Sequence, residues 1–189
     1  AGVPIVVKAE YDVPGAVTAL GGAGNSTPRT ADSEVVRRLR AAGAVIVGRT
    51  TMPEFGQFPF TESLATGVTR NPFDLDRSPG GSSGGSAVAV ATGMVPVALG
   101  ADGGGSIRIP ASACGLVGLK PTRGCISVAP LSQHWYGLVV LGGMSRSVRD
   151  SALLLDVISG STPVDRWSVP PPREPFAAVA AREPGTLRI

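Results

Sequence analysis

Two glycine-and-serine nests, joined by an apolar run of small residues, constrain this chain more than any other feature. From Ser78 to Gly124 it reads SPGGSSGGSAVAVATGMVPVALGADGGGSIRIPASACGLVGLKPTRG. Glycine permits the sharp bends that turn successive backbone N–H groups toward one point, and serine adds a hydroxyl there. The nests run from Gly80 to Ser86 and from Asp102 to Ser106, and each abuts an apolar segment. The pattern predicts a buried site built from both.

Several functions that glycine-rich loops serve do not fit. A phosphate-cradling P-loop needs G-x-x-x-x-G-K-[ST], and no lysine follows either nest. Asp102 to Ser106 does follow an expected strand, but it lacks the third glycine and the downstream acid of a dinucleotide site. One histidine, His134, and two scattered cysteines, Cys114 and Cys125, do not make a metal site, so neither a metal nor another cofactor is expected. The same count excludes a Ser-His-Asp set, since the histidine lies off the motif. Both cysteines sit in apolar surroundings, where free buried thiols are the ordinary state.

At 43% hydrophobic and 16% charged residues over 189 positions, the chain has the composition of a globular core rather than a disordered segment. The net charge of +3 comes with no basic run interleaved with aromatics, so direct nucleic-acid binding is not expected. Val88 to Gly100 carries Thr92 and Pro96 and falls short of the roughly 18 apolar residues that cross a membrane. With no secretory signal, the cytoplasm is the expected compartment. The final Thr186 to Ile189 reads as a strand at its start, and the chain as a whole as a truncated central segment.

The motifs closely resemble those of the amidase signature family of serine hydrolases. The matching runs are GGSSGGSA at Gly80–Ala87, D-x-G-G-S-I-R-x-P at Asp102–Pro110, G-L-K-P-T-x-G at Gly118–Gly124 and V-P-I-x-x-K at Val3–Lys8. The resemblance implies an α/β fold, a mixed sheet covered by helices and incomplete in this chain, with a partial core over 1–160. A proline-rich linker and the start of a variable pocket region would follow over 161–189. It also implies an amide-hydrolysing triad: Ser106 as nucleophile, Ser82 on a cis peptide as proton relay, and Lys8 as base. Backbone N–H groups of Gly103, Gly104, Gly105 and Ser106 would form an oxyanion hole. Asp102 and Arg108 would brace the second nest, with Ser83 supporting and the glycines around Ser82 relieving crowding.

The implied partner is a small-molecule amide, with self-association open. The same signature serves the glutaminase subunit of a tRNA-dependent amidotransferase, and an inactive fragment or binding module is a further alternative. The chain departs from the family where an aspartate commonly follows the lysine: here Ala9 and Glu10 do. It has Gly103 where many relatives have threonine, and Gly142-Gly143 where they show glycine-proline.

Periodicity supplies the remaining elements. Buried strands are expected at Val3–Val7, Ala44–Val47 and Val95–Gly100, and another strand at Val117–Lys120. A helix is expected over Glu34–Ala42, capped by Asp32 or Ser33, with Val35, Val36 and Leu39 inward and Arg37, Arg38 and Arg40 in water. Further helices are expected at Gly84–Thr92, from Ser145 or Ser147 through Val157, and at Pro175–Ala181; Ile107–Ala113 reads as helix or turn. The second of these would bury Val148, Leu154, Leu155 and Ile158. Pro53 and Glu54 suit a short structural helix start. Leu64–Asp76 reads as loop, residues past Gly124 as less regular, and Thr162–Pro175 as a stiff linker. His134, Trp135 and Tyr136 form a polar-aromatic patch that would either line the substrate pocket or, as is commoner for a lone histidine, serve surface or packing alone.

Overall fold

Alternation along the strands sorts the core into two layers. The computed structural model describes residues 2–186, so the strand start expected over Thr186–Ile189 lies, past Thr186, outside the described residues. Successive strand side chains point to opposite faces. Ile5 and Val7 of β1 (Pro4–Lys8) therefore join one buried cluster with Val35, Val36, Leu39, Leu154, Leu155 and Ile158. Val6 joins Ala89, Val90 and Ala98 on the other face. Lys8 has the parity of Val6, so its side chain emerges toward the second layer.

The strands form a mixed sheet in the order β2-β1-β5-β7-β6. β2 (Val45–Thr50) and β5 (Val97–Asp102) both pair parallel with β1. β7 (Val140–Ser145) runs antiparallel to β5 and to β6 (Val117–Leu119). One face carries α1 (Glu34–Ala41) and α4 (Val148–Ile158), and the other α2 (Gly84–Ala91) and α3 (Arg108–Ala113). β3 (Glu62–Ser63) and β4 (Gly67–Val68) form a small separate hairpin that runs into the segment expected to be loop. No helix among the described residues is long and apolar enough to cross a membrane.

The expected strands, and helices α1, α2 and α4, are present within a residue or two, except that β2 runs three residues past the expected Val47, and with four further corrections. β2 is an edge strand with Val45 and Val47 about half exposed, not a buried one, because nothing pairs beyond it in the sheet. Arg38 is not in water: its guanidinium reaches from α1 to the carbonyl oxygens of Ile158, Ser159 and Gly160 and caps the end of α4. Val148 is exposed at the first turn of α4, where Ser147 caps the helix through the Asp150 N–H. The Gly142-Gly143 pair, in the stretch expected to be less regular, is the middle of strand β7. A Cβ at Gly143 would strike the Leu154 side chain and lie 2.9 Å from the Ala98 carbonyl oxygen, so glycine lets α4 sit directly on the strand.

After β7 and α4 the chain does not run free as a linker. Asp165 accepts from the N–H groups of Val128 and Thr162, and Arg166 N–H donates to the Ser132 carbonyl. The short α5 (Phe176–Ala180) hangs its first two N–H groups on Asp156 of α4.

Candidate active site

Lys8 closes β1 and Asp102 closes β5, so both parallel neighbours deliver their carboxyl ends to one place. In open α/β sheets that is where ligands are held. The chain leaving β5 forms the second nest, and the loop entering α2 brings the first nest beside it.

Lys8 is 1% exposed, and its Nζ donates to Ser82 Oγ at 2.7 Å. Ser82 is equally buried, and the Gly81–Ser82 peptide is cis. The first nest is crowded as expected: a Cβ at Gly81 would lie 2.5 Å from the Phe60 carbonyl oxygen. Ser106 is half-buried and lines the same cavity of about 270 Å³ as Lys8 and Ser82. Among the described residues its hydroxyl makes no hydrogen bond to Ser82. A backbone bond ties the two nests instead, with Ser83 N–H donating to the Ser106 carbonyl at 3.2 Å.

The second nest is organised by one carboxylate. Asp102 is fully buried and accepts from the N–H groups of Gly105, Ile107 and Arg108 at 2.8, 3.2 and 3.3 Å. Arg108 adds a bidentate pair at 2.8 and 2.9 Å. Burial pushes the Asp102 carboxyl up, but the Arg108 and backbone hydrogen bonds outweigh it and hold it below the usual carboxylate range. This geometry corrects one expectation. The Gly105 N–H is spent on Asp102, so it is not a free donor to an oxyanion.

Ser83 and Ser86 fasten the first nest to β5. Ser83 Oγ lies between the carbonyl and the N–H of Ala101, at 3.4 Å from each, and Ser86 Oγ donates to the Leu99 carbonyl at 2.8 Å. Burial pushes the Cys114 thiol up to about 11, so it is a protonated packing group rather than a nucleophile.

Much of the rest of the cavity wall comes from a segment without a catalytic sequence signal. Phe55, Gly56 and Gln57 line it, so the segment read as a structural helix start is a wall of the site. It holds a single 3-10 turn, Glu54–Gly56, with Phe55 at φ 53°. Gly56 sits over the lysine–serine pair: a Cβ there would lie 3.3 Å from Ser82 Oγ and 3.8 Å from Lys8 Nζ. His134 and Trp135 of the polar-aromatic patch also line the cavity, whereas Tyr136 is 86% exposed and does not. A Cβ on Gly103 would lie 2.9 Å from the Trp135 ring, so the glycine found here in place of threonine makes room for that indole.

A mixed α/β sheet whose strand ends present a buried lysine–serine pair, with a second glycine-held serine in the same cavity, defines a class of protein built around a lysine-and-serine cavity. Likeness to known proteins narrows that class. A family model described as Amidase matches residues 1–189, and the chain belongs to that family. It is 58% identical over 188 residues to the putative amidase AmiB2 of Mycobacterium tuberculosis, covering 100% of this chain and 39% of that protein.

Among solved structures, a 6-aminohexanoate cyclic dimer hydrolase complexed with substrate matches with a TM-score of 0.95 at 44% identity, covering 100% of this chain and 41% of that one. A glutamyl-tRNA(Gln) amidotransferase subunit from Thermotoga maritima matches with a TM-score of 0.80 at 40% identity, over 88% of this chain and 37% of that one. The chain spans about two fifths of the length of the curated relatives it matches first.

Proposed function

We infer that this chain carries the catalytic core of an amidase, hydrolysing a small carboxamide to an acid plus ammonia or an amine. The observation that carries this reading is the 2.7 Å bond from Lys8 Nζ to Ser82 Oγ, buried in a cavity that Ser106 also lines. A serine hydroxyl becomes a competent nucleophile only when a neighbour takes its proton. Here Ser106 Oγ attacks the amide carbonyl, its proton passes to Ser82 Oγ, and the Ser82 proton passes to Lys8 in its amine form. The relay then runs backward to protonate the departing nitrogen. Water attacks the acyl-Ser106 ester with the same base, releasing the acid.

The oxyanion would face the N–H groups of Gly103, Gly104 and Ser106, those of the nest not bonded to Asp102. Removing one such donor typically costs about 3–4 kcal/mol of barrier. The free thiols of Cys114 and Cys125 suit a reducing, cytoplasmic setting.

Fluorophosphonate labelling of the intact protein with peptide mapping tests the reading. An adduct on Ser106 is the expected result. An adduct elsewhere, or none in a folded protein, would overturn it in favour of a binding module. The likeness to an amidotransferase subunit keeps one alternative setting in view. Ammonia release from glutamine only in the presence of partner subunits would favour it over a free amidase.

The roof residue supplies a further prediction. Gly56→Ala forces a Cβ against Ser82 Oγ at a residue with φ +67°. A Cβ at 3.3 Å asks the hydroxyl to give by a few tenths of an ångström, against the roughly 1 Å that costs on the order of a hundredfold in rate. The labelling rate of Ser106 is therefore expected to fall about two- to tenfold, read by time-resolved adduct formation. An unchanged rate would mean the 3-10 turn yields without moving the serine.

A further inference from the structure

The carboxylate of Glu10 is a group the triad does not use, yet it lies against the triad's base. Its Oε1 is 3.4 Å from Lys8 Nζ, and its side chain is only 8% exposed. That oxygen has no hydrogen-bond partner among the described residues, so its close neighbour is the amine itself.

The placement is built, not incidental. β1 ends at Lys8, and a turn closed by Tyr11 N–H on the Lys8 carbonyl, at 3.1 Å, folds Glu10 back over it. Arg49 of β2 holds the turn by donating to the carbonyl oxygens of Ala9 and, at 3.1 Å, Tyr11. Tyr11 Oη donates to the Gly100 carbonyl at 2.6 Å and pins the turn to β5. Burial pushes the Tyr11 hydroxyl well up, and the negative charge of Glu10 adds to that.

We propose that Glu10 is a positioning residue for the relay, stabilising the ammonium that Lys8 becomes when it takes the Ser82 proton. The inference rests on the amidase reading above and deepens it. In the forward step the Ser106 O–H bond breaks as Ser106 Oγ bonds the substrate carbon. The Ser106 proton moves to Ser82 Oγ, and the Ser82 proton moves to the lone pair of Lys8 Nζ. A positive charge then sits on a side chain almost wholly removed from solvent, and Glu10 is the carboxylate placed to balance it.

Other ionisable groups nearby are engaged elsewhere or lie farther off. Asp102 is bound to Arg108, Asp12 to Arg29 at 3.0 Å, and Arg49 to backbone carbonyls, while His134 lies on the cavity wall. The position directly after the lysine, where the motif commonly carries an aspartate, is Ala9, and this chain sets its carboxylate one residue further on.

The test is the pH dependence of fluorophosphonate labelling at Ser106 in the intact protein, compared between wild type, Glu10→Gln and Glu10→Asp. Labelling needs only the forward proton transfer, because fluoride leaves without a proton from the relay. An opposite charge this close favours the charged form of its neighbour. The labelling profile of Glu10→Gln is therefore expected to reach half its maximum at lower pH than wild type, with a plateau reduced about tenfold because the proton acceptor loses its balancing charge. Glu10→Asp, which keeps the charge one carbon farther back, should fall between the two.

A midpoint unmoved in the folded variants, whatever the plateau, would overturn the role and leave Glu10 a structural counter-ion. Where Glu10→Gln does not fold, Glu10→Asp alone decides it, an unmoved midpoint being the refuting result. Absence of any Ser106 adduct in wild type would instead overturn the amidase reading, and this inference with it.

Discussion

Ser106→Ala in the intact protein is expected to abolish the fluorophosphonate adduct and to lower amide turnover by about 10⁴- to 10⁶-fold, the scale of losing a nucleophile that acts within a unit. Its unfolding transition should stay close to wild type, because the nest is tied through the Ser106 carbonyl and the Asp102 carboxylate rather than through the Ser106 hydroxyl. Ser82→Ala and Lys8→Met should each cost nearly as much turnover. Lys8 and Ser82 share one short buried bond, so removing either leaves the relay open at the same point.

The informative measurement is the double variant Lys8→Met/Ser82→Ala. A relay predicts that it is little worse than the more damaged single variant, since a broken chain of proton transfers breaks once. Losses that multiply would mean the two side chains act separately, and the relay would be wrong even if Ser106 is the nucleophile. Methionine is the chosen replacement because Lys8 is one of the largest fully buried side chains, and alanine would add a cavity to the loss of the amine.

How much of this was legible in the sequence depends on what each residue does for the backbone. The nests were readable because a serine hydroxyl amid glycines is a local signal, and Lys8 because it ends a β-branched run in a motif. The parity that turns Lys8 toward Ser82 follows from strand alternation once β1 is accepted. β7 was not readable, because Gly142 and Gly143 suppress the strand pattern where side chains of neighbouring segments press closest. Its tertiary reason lies in Ile107 and Leu154, far apart along the chain.

The wall residues Phe55, Gly56 and Gln57 were missed because a short 3-10 turn carries no periodicity, and its importance lies in what it covers. Gly105 looked like an oxyanion donor because its place in the motif matched. Only the carboxylate three residues back shows where its N–H points.

That carboxylate sets the second large expectation. Asp102→Ala is expected to destabilise the fold by about 3–5 kcal/mol, the scale of breaking a buried, multiply bonded charge. It should also silence the site. The loss would come mainly from the N–H groups of Gly105, Ile107 and Arg108 left without an acceptor, each costing about 1–3 kcal/mol when buried. The Arg108 guanidinium is about half exposed and can turn to water, so Arg108→Ala should be much milder. Equal losses in the two variants would assign the support to the ion pair instead.

Asp102→Asn supplies the pH arm. The folded Asp102 carboxyl lies below its unfolded value of about 3.9, so its contribution is fully present above that value and is lost as pH falls through the lower folded one. The stability gap between wild type and Asp102→Asn, measured by denaturant unfolding, should therefore be constant near neutrality and narrow below about pH 4. A gap that stays constant through the acid range would mean that the Asp102 carboxylate does not hold the second nest by its charge.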